Sequence, residues 1–220
     1  YYQPKVRIDS FRLNGAEALV RWKHDGKLIS PGEFIPVFER NGMICQLDFY
    51  MLENVCIAIR DWLARGIEPV RVSVNFSRKH LTNPHLADDI MSVLNRYETE
   101  SRYIEIELTE TVDQNEAGLL AAFMGRMKKY HVTMSIDDFG TGYSSLNMLR
   151  TFPVDVLKID RSFILDLEQN SKTVLSNIIR MADELHMDVV AEGVETYEQM
   201  NYLKSIDCKE VQGFLFDRPM

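Results

Sequence analysis

The chain has 220 residues, of which 45% are hydrophobic, a size that suits one large domain or two small ones. Its formal net charge of −8 argues against non-specific binding to long nucleic acid. No apolar run approaches the length of a membrane span, and no basic and then apolar leader opens the sequence. We therefore expect a soluble, cytoplasmic domain without membrane contact of its own; any anchor would belong to other domains of a longer protein.

The cysteines and histidines restrict the kind of metal site that this sequence can build. The three cysteines, Cys45, Cys56 and Cys208, lie far apart in apolar surroundings, which indicates reduced core residues and not a disulfide framework or a zinc site. The five histidines never pair at ligand spacing. Any metal ion must therefore be held by oxygen ligands.

The first predicted elements are two strands joined by a turn at Asn14-Gly15, a dipeptide typical of antiparallel hairpins. A serine cap followed by proline and glutamate at residues 30–33 then predicts the start of a helix. In this part of the chain we predict strands over residues 2–8 and 16–22 and helices over residues 34–41 and 47–65.

From residue 70 onward, predicted strands and amphipathic helices alternate regularly, which favours a parallel sheet. Eight strands in one domain of this size favour closure into a TIM-like (β/α)8 barrel. A doubly wound open sheet is the alternative, which the absence of a G-x-G-x-x-G motif after the first strand weakens. The predicted strands cover 70–76, 103–108, 132–137, 156–160, 189–192 and 211–216, and the predicted helices cover 86–96, 117–130, 145–151, 172–186 and 197–206.

The stretch around which the chain is organised is 132–145, with the sequence VTMSIDDFGTGYSS. Its strand places Thr133, Ser135 and Asp137 on one face, although a strand buried between helices should be apolar on both faces. That face must therefore look into a polar space. Taken alone, the adjacent Asp137 and Asp138 fit metal binding, helix capping or plain solvent exposure.

Other predicted strands also carry polar side chains on one face. Seven of the eight predicted strands carry an acid, amide or lysine on the face away from the bulky apolar residues. Such converging carboxylates repel one another in a low dielectric unless cations offset them, and oxygen ligands favour two Mg²⁺ or Mn²⁺ ions. Singly, Glu105 and Asp160 also fit structural ion pairs. The residues of this set are Glu17, Arg21, Asn75, Glu105, Glu107, Glu110, Asp137, Asp138, Lys158, Asp160, Glu192, Glu195 and Gln212.

An all-oxygen, two-ion site suits in-line displacement at phosphorus, because one ion generates hydroxide and both stabilise the charged transition state. Lys158 and Arg21 add positive charge that suits phosphate oxygens. Ca²⁺ would enter such a site but is expected to inhibit, because its longer bonds misplace the attacking water.

At this point the sequence resembles the EAL domain of cyclic di-GMP phosphodiesterases. The resemblance implies a (β/α)8 barrel with one antiparallel strand near the N-terminus, and hydrolysis of cyclic di-GMP to linear pGpG with Mg²⁺ or Mn²⁺. The motifs that carry it run from end to end: YQP at Tyr2, E-A-L at Glu17, PGEFIP at Pro31, VNFS at Val74, ELTE at Glu107, DDFGTGYSSL at Asp137, LKIDRSF at Leu157, VAEGVET at Val190 and QGFLF at Gln212.

The resemblance also implies a set of metal ligands. By similarity, Glu17, Asn75, Glu107 and Asp137 bind one ion. The second ion is bound by Asp137 and Asp138, so that Asp137 bridges the two ions.

Further residues match family positions that serve the reaction. Glu192 resembles the general base or water-orienting group, and Lys158 resembles the residue that steadies the attacking water and the phosphate. Gln212 resembles a further water or metal contact. Arg21 resembles a ligand-phosphate contact, and Asp160 lies in a family motif on the substrate side with a less settled role.

Two more glutamates are implied to support this site. Glu110 resembles the residue that pins the loop over residues 139–145, and Glu195 resembles an outer partner. The loop and the helix after it are implied to contact a second subunit, which predicts a homodimer. Neither end of the chain carries a tail, so we expect residues 1–220 to be a single domain from a longer protein with flanking sensory or GGDEF-type domains.

Three rival functions differ in what they leave unexplained. A non-catalytic cyclic di-GMP sensor would use the same pocket, but every implied ligand position is retained here, which favours an enzyme. A barrel metalloenzyme acting on an enolisable acid needs fewer cations directed at phosphate. A scaffolding module leaves the converging carboxylates without a purpose.

Overall fold

The computed structural model describes residues 1–110, 117–140, 149–165 and 167–220. Ten strands occur in these ranges, numbered here in chain order. They are β1 (Tyr2–Arg7), β2 (Leu13–Ala18), β3 (Trp22–His24), β4 (Lys27–Ile29), β5 (Arg71–Asn75), β6 (Ile104–Thr109), β7 (Thr133–Phe139), β8 (Val156–Ile159), β9 (Asp188–Ala191) and β10 (Glu210–Gln212).

The observed helices agree with the predicted ones to within a few residues, except for the short helix Ser162–Leu165, which was not predicted. The predicted helix 145–151 begins outside the described residues, and its last part, 149–151, is helical. The described helices are Pro31–Asn41, Ile44–Ala64, Leu86–Arg96, Ala117–Lys129, Ser162–Leu165, Gln169–Glu184 and Tyr197–Ser205, with short 3-10 turns at Arg78–Thr82 and Ser101–Tyr103.

Eight of the strands close into a barrel in the order β1-β10-β9-β8-β7-β6-β5-β2. Strand β1 is antiparallel to both of its neighbours, β10 and β2. The other six barrel pairings are parallel. The closed barrel with one antiparallel strand is therefore confirmed, and the open doubly wound alternative is wrong.

The alternation of side chains explains why the barrel interior is polar. In β6, Ile104, Ile106 and Leu108 are buried in the apolar core, while Glu105 and Glu107 point to the opposite side of the strand. The apolar layer therefore lies between the strands and the surrounding helices, and the charged residues are left inside the barrel.

The predicted turn at Asn14-Gly15 is wrong, because both residues lie inside β2. The chain turns earlier, where the Phe11 N–H donates to the Arg7 carbonyl at 2.9 Å. Gly15 pairs with Lys5 of β1, and a β-carbon on Gly15 would lie 3.4 Å from Lys5 Cδ. Gly15 therefore lies within a paired strand and does not form a turn.

Two further predicted strands are longer than the observed ones. Strand β2 ends at Ala18, and after three residues the chain forms β3, which pairs with β4 in a separate two-stranded sheet that was not predicted. The last strand ends at Gln212, because Gly213 packs against Val194 so closely that a β-carbon would lie 2.1 Å from the Val194 oxygen. The backbone turns at that contact.

The helix Ile44–Ala64 contributes a continuous apolar stripe to the core through Leu52, Val55, Cys56 and Ile59. Within the described residues, no single helix is long and apolar enough to cross a membrane. Only the bent pair Pro31–Asn41 and Ile44–Ala64, with 120° between its two helices, reaches the required length and composition together.

Candidate active site

The centre of the candidate site is the ammonium group of Lys158, which is fully buried on β8. Its Nζ lies 2.8 Å from Glu107 Oε2 and 2.8 Å from Glu192 Oε1. Asp137 Oδ1 is 3.1 Å away and Glu17 Oε2 is 3.5 Å away. One lysine thus gathers carboxylates from β2, β6, β7 and the end of β9.

The acids around Lys158 form two overlapping groups. Carboxylate oxygens of Glu17, Glu107 and Asp137 lie within 4.8 Å of one another, and so do those of Asp137, Asp138 and Glu192. Asp137 belongs to both groups, which is the geometry that a ligand bridging two ions requires. The second group includes Glu192, for which the resemblance implied the role of a base.

The end of β7 explains how two adjacent aspartates reach the same group. In a regular strand, consecutive side chains point to opposite faces. Here the register between β7 and β8 shifts between Ile136 and Phe139, and Asp138 has a left-handed backbone with φ of 55°. The Asp138 N–H donates to Asp137 Oδ1 at 2.9 Å. This irregular end of the strand turns both carboxylates toward the barrel opening.

Two amide side chains connect to this cluster through Glu17. Asn75 Nδ2 donates to Glu17 Oε1 at 2.8 Å, and Gln212 Nε2 donates to Glu17 Oε2 at 2.6 Å. Gln212 Nε2 also donates to Gln3 Oε1 at 3.2 Å. With both amide contacts made through nitrogen, Gln212 Oε1 is buried and has no hydrogen-bond partner among the described residues.

Burial and the neighbouring carboxylates raise the pKa values of the acids at the barrel opening. Burial raises the pKa of Glu192 to about 8 in spite of its contact with Lys158. Burial also raises the pKa of Asp137 and of Asp138, and neighbouring carboxylates add to both shifts. For Lys158 burial acts to lower the pKa, but Glu107 and the other acids outweigh it and the pKa is raised.

These residues fit divalent cations. The donors are carboxylate and amide oxygens, which are the ligands that Mg²⁺ and Mn²⁺ prefer. Five carboxylates surround the Lys158 ammonium group in this part of the described structure, and one of them, Glu107, also contacts the Lys5 ammonium group. The buried, unpartnered Gln212 Oε1 supplies one further acceptor at the same place.

Three of the predicted residues lie at the edge of the cluster. Arg21 follows the end of β2, and its Nη1 donates to the Val20 carbonyl at 2.8 Å. Asp160 accepts the Ser162 N–H at 3.0 Å and so begins a short helix, which makes it a cap and not a buried ion pair. Glu195 is exposed, and its contact is made by its backbone N–H to Gln199 Oε1 at 2.8 Å.

Glu110 lies beside the cluster and is 1% exposed. Its Oε2 accepts the Gly140 N–H at 2.6 Å, and its own N–H donates to the Asp137 carbonyl at 3.1 Å. It therefore ties the beginning of the predicted loop to the strand that carries the aspartates. The rest of that loop, from residue 141 onward, lies outside the described residues.

Two cavities adjoin the acidic cluster. One of about 300 Å³ is lined by residues that include Glu17, Asp138, Asp160, Glu192 and Gln212. A larger one of about 920 Å³ opens beside it, and its lining includes Arg21 and Asn75. The smaller cavity thus reaches the carboxylates directly, and the larger one reaches Asn75, which is hydrogen-bonded to Glu17.

The sequence analysis missed the contribution of β1. Gln3 and Lys5 are 8% and 3% exposed, and both side chains lie inside the barrel. Lys5 Nζ lies 2.9 Å from Glu105 Oε1, which confirms the structural ion-pair interpretation of Glu105. The alternation of Gln3 and Lys5 with apolar residues in the sequence was the available signal. It gives β1 a polar face as well, so that all eight barrel strands carry one.

Comparison with known proteins gives a consistent result. The sequence model of the EAL domain matches residues 1–219. The chain is 40% identical to cyclic di-GMP phosphodiesterase NbdA of Pseudomonas aeruginosa, over the whole chain and 28% of that protein. It is 38% identical to the bifunctional diguanylate cyclase/cyclic di-GMP phosphodiesterase MucR of the same organism, over the whole chain and 33% of that protein.

A solved structure, the PaMucR phosphodiesterase in complex with c-di-GMP, superposes on the whole chain and on 90% of its own chain. The TM-score is 0.92 and the sequence identity is 37%. The chain spans about a third of the length of the two curated relatives, 28% and 33%.

Proposed function

Because the chain belongs to the EAL domain family, we propose that it is a metal-dependent phosphodiesterase that hydrolyses cyclic di-GMP to linear pGpG. The names of the two relatives and the cyclic di-GMP bound to the solved PaMucR structure support this substrate. The family is metal-dependent, and the acidic cluster supports a site of that kind here.

The observation that carries the proposal is the position of Asp137 in both acidic groups. We assign Glu17, Asn75, Glu107 and Asp137 to one Mg²⁺ or Mn²⁺ ion, and Asp137 with Asp138 to a second. When bound, two such ions lower the pKa of a water molecule and offset the negative charge that develops at phosphorus.

Three side chains are assigned to the water and the phosphate. Burial raises the pKa of Glu192 to about 8, and divalent cations bound beside it would lower that pKa, so Glu192 is assigned to accept the proton of the attacking water. Lys158 lies 2.8 Å from Glu192 Oε1 and orients the water and the phosphate oxygens with its ammonium group. Gln212 adds its buried Oε1 as an acceptor for a water O–H.

The two cavities support a substrate with two nucleotide halves. The scissile phosphodiester would lie at the carboxylates, with one half in the cavity of about 300 Å³ and the other toward the cavity of about 920 Å³. Arg21 lines the larger cavity and is assigned to a phosphate oxygen, while Asp160 lines the smaller one on the substrate side.

The experiment is incubation of the protein with cyclic di-GMP and Mn²⁺, followed by chromatographic separation of the nucleotides. We expect pGpG to accumulate. Excess EDTA should abolish the formation of pGpG, and replacement of Mn²⁺ by Ca²⁺ should suppress it. Tight binding of cyclic di-GMP without any product would instead establish a sensor. Full activity in EDTA would contradict the two-ion assignment.

The proposal extends to the partners of the domain. We propose a cytoplasmic homodimer whose contacts include the loop that Glu110 ties down, with Glu195 as an outer support of the site. Flanking sensory or GGDEF-type domains are supported by the greater length of the relatives. Analytical ultracentrifugation with and without Mn²⁺ tests the dimer. A monomer at all protein concentrations would contradict the proposed dimer.

A further inference from the structure

Lys5 is a second buried lysine inside the barrel, on the antiparallel strand β1. Its neighbours across the sheet are Gly15 on β2 and Gln212 on β10. A β-carbon on Gly15 would lie in van der Waals contact with the Lys5 stem, 3.4 Å from its Cδ. The strand pairing places the ammonium group of Lys5 inside the barrel, where it contacts acids of β6.

The ammonium group of Lys5 contacts two glutamates of β6. Its Nζ lies 2.9 Å from Glu105 Oε1 and 3.0 Å from Glu107 Oε1. The other oxygen of Glu107, Oε2, lies 2.8 Å from Lys158 Nζ. The carboxylate of Glu107 is thus held between two ammonium groups, one at each oxygen.

The two oxygens of Glu107 therefore contact different lysines. Oε1 is occupied by Lys5, and Oε2 contacts the Lys158 ammonium group, which also contacts Asp137 and Glu17. We infer that Lys5 is a positioning residue, which fixes the Glu107 carboxylate so that a single oxygen, Oε2, is presented to a divalent cation. This inference rests on the proposed function.

Residues that hold a metal ligand from behind contribute to metal affinity without touching the ion. Loss of such a partner typically lowers metal affinity or activity by about 10- to 100-fold. A simpler role for Lys5 would be to neutralise Glu105 alone, in which case Glu107 would keep its orientation through Lys158. The two roles differ in what happens when Lys5 and Glu105 are neutralised together.

The experiment measures Mn²⁺ affinity by calorimetry on four proteins: the wild type, Lys5→Met, Glu105→Gln and the double variant Lys5→Met/Glu105→Gln. We expect Glu105→Gln to bind Mn²⁺ within about twofold of the wild type, because Lys5 still holds Glu107. We expect both proteins that lack Lys5 to bind about 10- to 100-fold more weakly. Lys209→Met, which removes an exposed lysine paired with Asp183, is the matched control and should bind like the wild type.

The double variant decides the outcome even if Lys5→Met alone fails to fold, because it removes the buried lysine together with one of its two acids. Wild-type Mn²⁺ affinity in the folded double variant would overturn the inference and reduce Lys5 to a counter-ion of Glu105. A wild-type protein that binds no Mn²⁺ would instead overturn the metal assignment of the proposed function, and the inference with it.

Discussion

The barrel interior contains two charged layers that differ in their balance of charge. In the lower layer, Lys5 and Arg71 face Glu105, at 2.9 Å and 3.8 Å respectively, and Glu210 lies beside them with its Oε2 accepting from Asn14. In the upper layer, Lys158 is the one ammonium group among five carboxylates of the described residues. Glu107 joins the two layers through its two oxygens.

The difference in charge balance between the two layers distinguishes a buried acid with a structural role from one with a functional role. The attraction of its own cation offsets part of the desolvation cost of a buried carboxylate, whereas surplus carboxylates repel one another in a low dielectric. The surplus is located at the barrel opening, where the cavities are, and it can be offset by ions that enter from solvent. Charge balance, and not burial, separates the two layers.

The largest expected effect comes from neutralising the proposed base of the upper layer. Glu192→Gln keeps the size and hydrogen bonding of the side chain but removes proton acceptance, so the turnover rate should fall by about 10²- to 10⁴-fold. Affinity for cyclic di-GMP should change little. Steady-state kinetics and calorimetry check both values, and a parallel loss of affinity would make Glu192 a binding or metal residue.

The next effect separates the two aspartates of β7. Asp137→Asn should weaken Mn²⁺ binding more than Asp138→Asn, because Asp137 belongs to both acidic groups and Asp138 to one. A bridging ligand loses two interactions with cations when its charge is removed. Calorimetric titration with Mn²⁺ gives the order, and the reverse ranking would show that Asp137 does not bridge.

A stability measurement in EDTA compares the layers directly. Glu105→Gln removes a balanced charge from the lower layer and should destabilise the protein by about 1–3 kcal/mol. At about pH 9, above the pKa of about 8 to which burial raises Glu192, Glu192→Gln removes a surplus charge from the upper layer and should raise the melting temperature by about 2–4 °C per kcal/mol of relieved repulsion. Thermal unfolding of both variants tests the opposite signs, and equal shifts would remove the distinction between the layers.

The smallest expected effect concerns the edge of the upper layer. Glu110→Ala leaves the Gly140 N–H without its carboxylate acceptor, so the protein should fold normally but bind Mn²⁺ about two- to tenfold more weakly, the loss of roughly one hydrogen bond. Dimerisation should weaken as well. The measurements are melting temperature, Mn²⁺ titration and sedimentation on one preparation. If all three match the wild type, Glu110 only caps the backbone at Gly140.

Most of the barrel was predictable from local pattern. Alternating strands and amphipathic helices determine the (β/α)8 order, since a parallel strand needs a crossover helix to reach its neighbour. The acids of the site were also predictable, because a charged residue on a strand that should be apolar on both faces, such as Asp137, must point into the barrel interior.

Only the tertiary structure determines the features that depend on contacts between residues far apart in the sequence. Gly15 looks like a turn residue beside Asn14, and only its pairing with Lys5 shows that it lies within a strand. Likewise, Lys5 and Glu107 are 102 residues apart, and no local pattern indicates which acid a buried lysine meets. Barrel closure brings β1 beside β10 and across from β6, and the charge balance of each layer follows from that closure.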